Sequence, residues 1–213
     1  AIGNTLILVD GQRLNSPDSS NIQWANIPLS SIERIEIMSG DGTIMFGDRA
    51  TGGVINIITD KSGKSKLSLT TSLGSYGFKS LDANASGTFN DNAYFNTYLH
   101  TSDENGYRQN SGQTTYSLNG SIGLKEQLAI SFIDYSIFHV KSGMSGSITK
   151  TQFELDPRLS QYLNSKNEQT KEGFRIRPGF TYQINSELQL STDASFSLER
   201  QYSEFPDYDV DLN

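Results

Sequence analysis

Three neighbouring charged residues, Glu33, Arg34 and Glu36, have the types and spacing that could do chemistry. Two carboxylates this close could serve as a general acid and a general base. No histidine, cysteine or nucleophilic serine accompanies them, so an ion-pair set that holds two parts of the fold together is favoured over a catalytic site. We therefore predict neither an enzyme nor a bound cofactor.

Glycines follow this charged run, and such a cluster could bind phosphate. A dinucleotide site needs a helix directly after its glycines and an acidic residue about 20 positions further on. Here an apolar run, residues 53–58, follows instead and predicts a strand. We interpret the glycines as residues that permit turns and close packing. They are Gly40, Gly42, Gly47, Gly52 and Gly53.

Three alternating aspartates, Asp207, Asp209 and Asp211, lie near the end of the sequence. Carboxylate oxygens are ligands that Ca²⁺ prefers, so these residues are a weak calcium candidate. A solvated acidic loop explains the same pattern and is favoured. The sequence has no cysteine, which excludes thiolate metal sites and cysteine catalysis. We predict no other metal site.

The charge balance argues against a nucleic-acid partner. The 213 residues include 17 Lys and Arg against 24 Asp and Glu, a net charge of -7, so the electrostatic footprint of nucleic-acid binding is missing. Hydrophobic residues make up only 35%, which fits either extensive disorder or a β-protein with apolar residues at alternate positions. Tyrosines and phenylalanines in alternating runs favour the β-protein. No apolar stretch reaches the roughly 18 residues of a transmembrane helix, whereas barrel strands need only about 9–11.

Residues 1–60 have the pattern of a small α+β domain. Residues 6–9 form an apolar run that ends at an Asp-Gly turn, which predicts a strand buried on both faces. Residues 32–38 alternate isoleucines with charges and predict a half-buried strand. Residues 53–58 predict a third strand, and the serines at 30 and 31 could cap one helical turn.

After a polar, basic linker at residues 61–66, the pattern changes: residues 67–213 contain separate runs in which apolar and polar residues alternate. We count about seven strands, each about as long as a membrane-spanning strand. Short turns on one side and longer loops on the other are typical of outer-membrane barrels, and a soluble sandwich has no reason to follow that rule. The tight connections lie near residues 90–92, 125–126 and 185–186, and the long ones at 103–113 and 141–172, with a short one near 75–77.

Two strands fit the alternation poorly. The phase of the strand after residue 127 changes at Asp134, which a bulge would allow, and the strand with Tyr94 and Tyr98 carries aromatic residues on both faces. Seven strands are also odd in number and too few for a filled barrel. We therefore expect the sequence to be cut at both ends.

The order of motifs in residues 6–60 resembles the C-terminal half of the plug domain of TonB-dependent outer-membrane receptors. The resemblance rests on Val-Asp-Gly followed by Leu-Asn at 9–15, on Ile-Pro and Ile-Glu-Arg-Ile-Glu-Ile at 27–37, and on Gly-Gly-Val-Ile-Asn-Ile-Ile-Thr at 52–59. Ser39-Gly-Asp-Gly stands where the family usually has Arg-Gly-Pro, but Asp-Gly is itself turn-forming. The resemblance implies an α+β plug fragment followed by antiparallel transmembrane strands, about seven of an expected 22 or so.

The resemblance also implies a function and partners. It implies active import of a scarce nutrient across the bacterial outer membrane: a ferric siderophore, another metal chelate or a cobalamin-like molecule. The partners would be that ligand, the membrane lipid and TonB, which in the family grips a Ton box upstream of the plug, a segment that this sequence lacks. A passive porin or surface adhesin is the alternative, and a soluble β-rich binding domain is a third hypothesis.

The resemblance assigns site residues as well. The loop before the second plug strand points toward the ligand in the family, and in this sequence it offers donors, acceptors and one aromatic ring. Glu33, Arg34 and Glu36 become plug–barrel contacts, with Arg175 and Arg177 as candidate partners. Trp24 could instead pack under Ile27 and Pro28. The predicted ligand residues are Asn15, Ser16, Asp18, Ser19, Asn21, Gln23 and Trp24.

Overall fold

The strands of the computed structural model form two sheets. We call the four-stranded sheet β1–β4 the small sheet and the sheet β5–β12 the large sheet. The structure describes residues 4–14, 32–40, 50–61, 64–161 and 167–205, together with Ile22, Trp24, Ile27 and Leu29.

The small sheet places β1 in its interior. Its order is β2-β1-β4-β3, with β1 and β4 parallel and the other neighbours antiparallel. Leu6 and Leu8 pack on one side of β1 and Ile7 on the other, all at most 4% exposed, which confirms the predicted strand buried on both faces. The strands are β1 (Thr5–Val9), β2 (Gln12–Arg13), β3 (Ile32–Met38) and β4 (Gly53–Thr59).

One glycine is required where β4 begins. Gly53 has a φ of +121°, and a Cβ there would clash with the carbonyl oxygen of Met38 on β3. A side chain would therefore push β3 and β4 apart. The tight approach is between two strands of the small sheet itself.

The edge strand β3 differs from its prediction. Ile35 and Ile37 are 54% and 73% exposed, so this strand is not half-buried by its isoleucines. Its pairing with β4 shifts register between Ile32 and Arg34. Of the three isoleucines of β3, Ile32 is the one that packs against the apolar core. The irregular pairing separates Ile32 from the other two isoleucines.

The large sheet is antiparallel throughout and follows the chain order. Its elements are β5 (Lys66–Leu73), β6 (Lys79–Thr88), β7 (Ala93–Glu104), β8 (Gln113–Lys125), β9 (Ala129–Gly143), β10 (Glu168–Gln183), β11 (Gln189–Asp193) and β12 (Phe196–Glu204). β11 and β12 both pair with β10 in one unbroken register. The gap between them lies opposite Pro178, which has no N–H to donate to the ladder. With β11 and β12 counted as one interrupted strand, the described part of the large sheet contains seven strands, as predicted.

The two faces of the large sheet differ in polarity. The face toward the small sheet, the inner face, buries polar residues such as Asn84, Asn119 and Ser121, each at most 6% exposed. The outer face carries exposed apolar residues. One row in register along this face contains Leu69, Leu99, Leu118, Ile137, Phe174 and Leu198.

The phase change at Asp134 occurs without a bulge. β9 pairs with β8 and β10 in continuous register over its whole length. Phe132 and Asp134 therefore point to the same side, and Phe132 lies against cations there. Tyr94 and Tyr98 are each 2% exposed on the inner face, which resolves the ambiguity of their strand.

One short helix, α1 (Lys150–Leu155), lies in the long connection between β9 and β10. Thr149 and Gln152 form a reciprocal capping box at its start. Across the described part of the chain, no helix has the length and apolar character needed to cross a membrane. The division of the chain at residues 61–66 stays a prediction.

Candidate functional site

The turn between β1 and β2 brings a carboxylate to the inner face of the large sheet. Asp10 and Gly11 have φ values of +49° and +80°, as a two-residue hairpin turn requires. The Asp10 carboxylate accepts hydrogen bonds from the Thr59 amide (2.9 Å) and the Thr59 hydroxyl (2.7 Å). It is thereby fixed between the ends of β1 and β4.

Lys61 connects this carboxylate to the large sheet. Its Nζ lies 3.2 Å from Asp10 Oδ2 and 3.0 Å from both carboxylate oxygens of Asp134 on β9. The Lys61 side chain is 23% exposed and that of Asp134 is 18% exposed. The lysine therefore bridges one carboxylate from each sheet in a largely desolvated environment.

Arg177 on β10 completes a four-residue cluster, which we call the junction cluster: Asp10, Lys61, Asp134 and Arg177. Its Nη1 donates to the Asp10 carbonyl oxygen (2.7 Å), and its Nη2 lies 3.1 Å from Asp134. The Phe132 ring centroid lies 4.8 Å from Lys61 Nζ and 5.1 Å from Arg177 Cζ, a distance at which cations are attracted to an aromatic face.

Two further strands hold the same segment. Asn96 on β7 donates to the carbonyl oxygen of Asp60 (2.8 Å), and Lys125 at the end of β8 donates to that of Lys61 (2.5 Å). Four consecutive strands of the large sheet, β7–β10, thus contact the end of the small sheet through side chains.

The junction cluster is suited to holding two parts together and not to catalysis. Its two formal positive charges balance its two negative charges, and each charge has a partner. A cavity of about 70 Å³ beside it is lined by residues that include Gln12, Tyr98 and Asn119. This volume is well below the roughly 300 Å³ or more of small-molecule sites. In the described residues, no group of three or more histidine, cysteine or acidic side chains is placed to hold a metal.

The predicted charged set lies elsewhere. Arg34 pairs with Glu36 (2.9 Å) and Glu33 (3.3 Å) on its own strand, and all three side chains are about half exposed. The hydrogen bond from Arg34 to Glu36 raises the pKa of Arg34 above its ordinary value. The suggestion that Arg177 pairs with these residues is wrong, because Asp134 and Asp10 occupy its guanidinium. A contact of Glu33, Arg34 and Glu36 with a barrel stays a prediction.

The predicted ligand residues are described only at Trp24. Trp24 is 59% exposed, so it is not packed beneath Ile27. Pro28, the other residue it was expected to pack under, lies outside the described part of the chain. The ligand role of Trp24 stays a prediction. The residues Asn15, Ser16, Asp18, Ser19, Asn21 and Gln23 lie outside the described part of the chain, as do the calcium candidates Asp207, Asp209 and Asp211.

Sequence reasoning missed the junction cluster. The local patterns identify Asp10 only as a turn residue and Lys61 only as part of a linker. They identify Asp134 only as the position where its strand changes phase. The available signal was Asp134 itself, a charge that interrupts an alternating strand beside an aromatic residue. Such a position is unexplained on a lipid-facing surface and fits a buried partner.

Comparison with known proteins relates the sequence to one family. Residues 2–54 match the model of the TonB-dependent receptor plug domain. The vitamin B12 transporter BtuB of Photobacterium profundum is 33% identical over 103 residues, 48% of this chain and 17% of that protein. The rhizobactin receptor of Rhizobium meliloti is 43% identical over 88 residues, 38% of this chain and 12% of that protein. The chain thus spans less than a fifth of the length of these relatives.

Solved structures share the fold over nearly the whole chain. The ferric yersiniabactin uptake receptor FyuA of Yersinia pestis superposes with a TM-score of 0.82 at 16% identity, covering 96% of this chain and 33% of that one. The unliganded ferric citrate transporter FecA gives 0.75 at 13% identity, covering 97% and 32%. The arrangement of the small sheet against the large one is therefore that of plug and barrel strands in such receptors.

Proposed function

Because this chain carries the plug sequence of the TonB-dependent receptor family, we propose that it acts in the active import of a scarce nutrient across the outer membrane. Its small sheet is then part of the plug, and its large sheet is part of the barrel wall. The substrate class is a metal chelate such as a ferric siderophore, or a cobalamin-like molecule. The chain's named relatives, a vitamin B12 transporter and a rhizobactin receptor, fall in these two classes.

The junction cluster is the observation that carries this proposal. A transport channel with a plug needs the plug held in the lumen until energy is supplied. Lys61 joins the plug to β9 through the Asp134 carboxylate, and Arg177 joins it to β10 by donating to the Asp10 carbonyl oxygen. Arg177 also pairs with the same Asp134, so the two contacts share one carboxylate. The same contacts count against a passive porin, because a porin keeps its lumen open to water.

The outer face supports a position in the membrane. From the row containing Ile137 toward the turn end of the sheet, this face exposes mainly apolar side chains, among them Ile133, Phe174, Ile176 and Phe180, with Thr97 and Ser131 between them. One step nearer the long loops, the outer face turns polar, and ion pairs join Lys79 to Asp103 (3.2 Å) and Lys141 to Glu168 (2.7 Å). An apolar band bounded by charged residues is the pattern of a strand set that crosses lipid.

No chemistry on the substrate is proposed. The relatives are transport receptors, and the described junction has neither a nucleophile nor a paired acid and base. The proposed partners are the nutrient, membrane lipid and TonB. We assign ligand contact to the loop that contains Trp24, since its indole is exposed.

Uptake measurements test the proposal. A strain lacking the complete gene is compared with wild type for uptake of labelled cobalamin and of radioactive iron bound to catecholate, hydroxamate and carboxylate chelators. We expect wild type to accumulate one of these probes, and accumulation to stop when the proton gradient is collapsed. Accumulation that survives the collapse would support the porin, and equal uptake of every probe by both strains would contradict the transporter.

A further inference from the structure

The two long outer connections of the large sheet interlock at Arg108. The loop at residues 105–112 joins β7 to β8. The longer connection from β9 to β10 is described at residues 144–161 and 167, and we call these residues the longer loop. The Arg108 guanidinium donates to the carbonyl oxygens of Leu159 (2.7 and 3.1 Å), Gly146 (2.8 Å) and Ser145 (3.5 Å). One side chain therefore holds both limbs of the longer loop.

Neighbouring residues reinforce this contact. Asn110, in a left-handed conformation with φ +53°, donates through Nδ2 to the carbonyl oxygens of Met144 (3.1 Å) and Asn167 (2.9 Å). The Gln109 amide donates to the Arg158 carbonyl oxygen (2.7 Å). Each of these bonds runs from the shorter loop to the longer one.

The longer loop also closes on itself. Ser160 and Gln161 both donate to the Ser145 carbonyl oxygen (3.0 and 2.6 Å). Gly146 has a φ of +64°, and a Cβ at this position would clash with the Gln161 side chain. The loop is therefore packed closely where Arg108 reaches it.

We infer that Arg108 is a positioning residue that fuses these two outer loops into one preformed wall, so that the longer loop does not act as a closing lid. A lid must exchange its contacts as it opens, and a loop held by four hydrogen bonds from one guanidinium opens rarely. The inference goes beyond the proposed function, because it concerns how the outer end is built and holds whichever nutrient is carried.

An exposed aromatic pair lies beside this contact. Tyr107 precedes Arg108 and meets Tyr76 edge to face, with ring centroids 5.6 Å apart. Arg158, from the longer loop, donates to the Tyr107 carbonyl oxygen (3.2 Å). The wall therefore presents Tyr76 and Tyr107 in a fixed geometry at the outer end.

Site-directed spin labelling tests the inference in the complete receptor in outer-membrane vesicles. Lys150→Cys places a nitroxide on α1, where the lysine side chain is 89% exposed, and the chain itself has no other cysteine. We expect a restricted label in the parent and a mobile one in Arg108→Ala. Protease cleavage within residues 144–161 should be roughly tenfold faster in that variant.

Arg158→Ala is the matched control, since it removes the same charge from the same pair of loops but only one side-chain hydrogen bond in the described residues. It should change the label much less, and Arg108→Lys should be intermediate. Heat-modifiable gel migration shows that each barrel is folded. A label already mobile in the parent, or equally restricted in Arg108→Ala, would overturn the inference. A receptor that imports none of the nutrient probes would defeat the proposed function and leave this result unchanged.

Discussion

The two sheets are built by opposite rules. The small sheet buries leucine and isoleucine on both faces of β1, whereas the large sheet buries asparagine, serine and threonine and exposes leucine, isoleucine and phenylalanine. Hydrophobicity therefore does not identify the interior of the large sheet. The difference teaches that burial is decided by what lies on each side of a sheet: apolar core for β1 and, under the proposed function, plug and lipid for the large sheet.

The same substitution in the two sheets gives the largest expected contrast. Ile7→Arg places an unpaired charge at a position that is 4% exposed, and it should cost more than about 4 kcal/mol and prevent the small sheet from folding. Protease digestion of residues 4–61 in membrane vesicles measures this. Asn92→Arg, in an exposed turn, is the control, and resistance of Ile7→Arg equal to that control would refute the buried core.

Ile137→Arg tests the outer face. Ile137 is 52% exposed, so a water-facing surface would tolerate arginine. A lipid-facing surface should lose up to about 2 kcal/mol, less than at the bilayer midplane because the row of Ile137 borders the polar rows. The midpoint of urea unfolding in lipid vesicles measures the cost. Thr101→Arg, in the polar row nearer the loops, should be nearly neutral. Equal midpoints for the two variants would place this face in water.

Lys61→Met tests the contact between the sheets. It leaves Asp10 and Asp134 without their shared cation, and should weaken plug docking by about 2 kcal/mol, below the range for fully buried pairs because the cluster is partly exposed. The readout is the urea concentration at which residues 4–61 become protease-sensitive. Adding Asp134→Leu to Lys61→Met restores the charge balance, so the double variant should recover part of the lost docking free energy. A double variant whose loss equals the sum of the two single losses would show that the two residues act independently and that the cluster does not act as a unit.

Trp24→Ala gives the smallest effect on stability. Its exposed side chain should contribute less than about 0.5 kcal/mol to the unfolding free energy. If the loop contacts the nutrient as proposed, the half-saturating concentration for uptake should rise while the unfolding midpoint stays fixed. A lowered unfolding midpoint would instead assign Trp24 to the fold.

The sequence predicted the elements better than their contacts. The run at residues 6–9, the Asp-Gly turn and the seven alternating strands follow from local patterns, and the structure confirms them. The local patterns did not predict which face of the large sheet carries Phe132, Tyr94 and Tyr98, because an aromatic residue on an alternating strand suits either face. The ligand loop and the aspartates at 207–211 lie outside the described residues, so those predictions stay open.

The contacts that sequence reasoning missed are all distant in the chain. Lys61 and Asp134 are 73 residues apart, and Arg108 lies 51 residues from its acceptor at Leu159. No periodicity encodes such pairs, because they depend on which strands become neighbours.

The bond between Arg177 and the Asp10 carbonyl oxygen joins residues 167 positions apart, and this separation has a consequence for the order of folding. Hairpins such as β6–β7 close over a few residues, whereas this bond cannot form until β10 exists. The entropy of closing so long a segment grows only slowly with length, but the step must wait for the rest of the chain. The plug should therefore dock late, so a kinetic experiment on Arg177 variants should find strand pairing unchanged and only the final phase slowed.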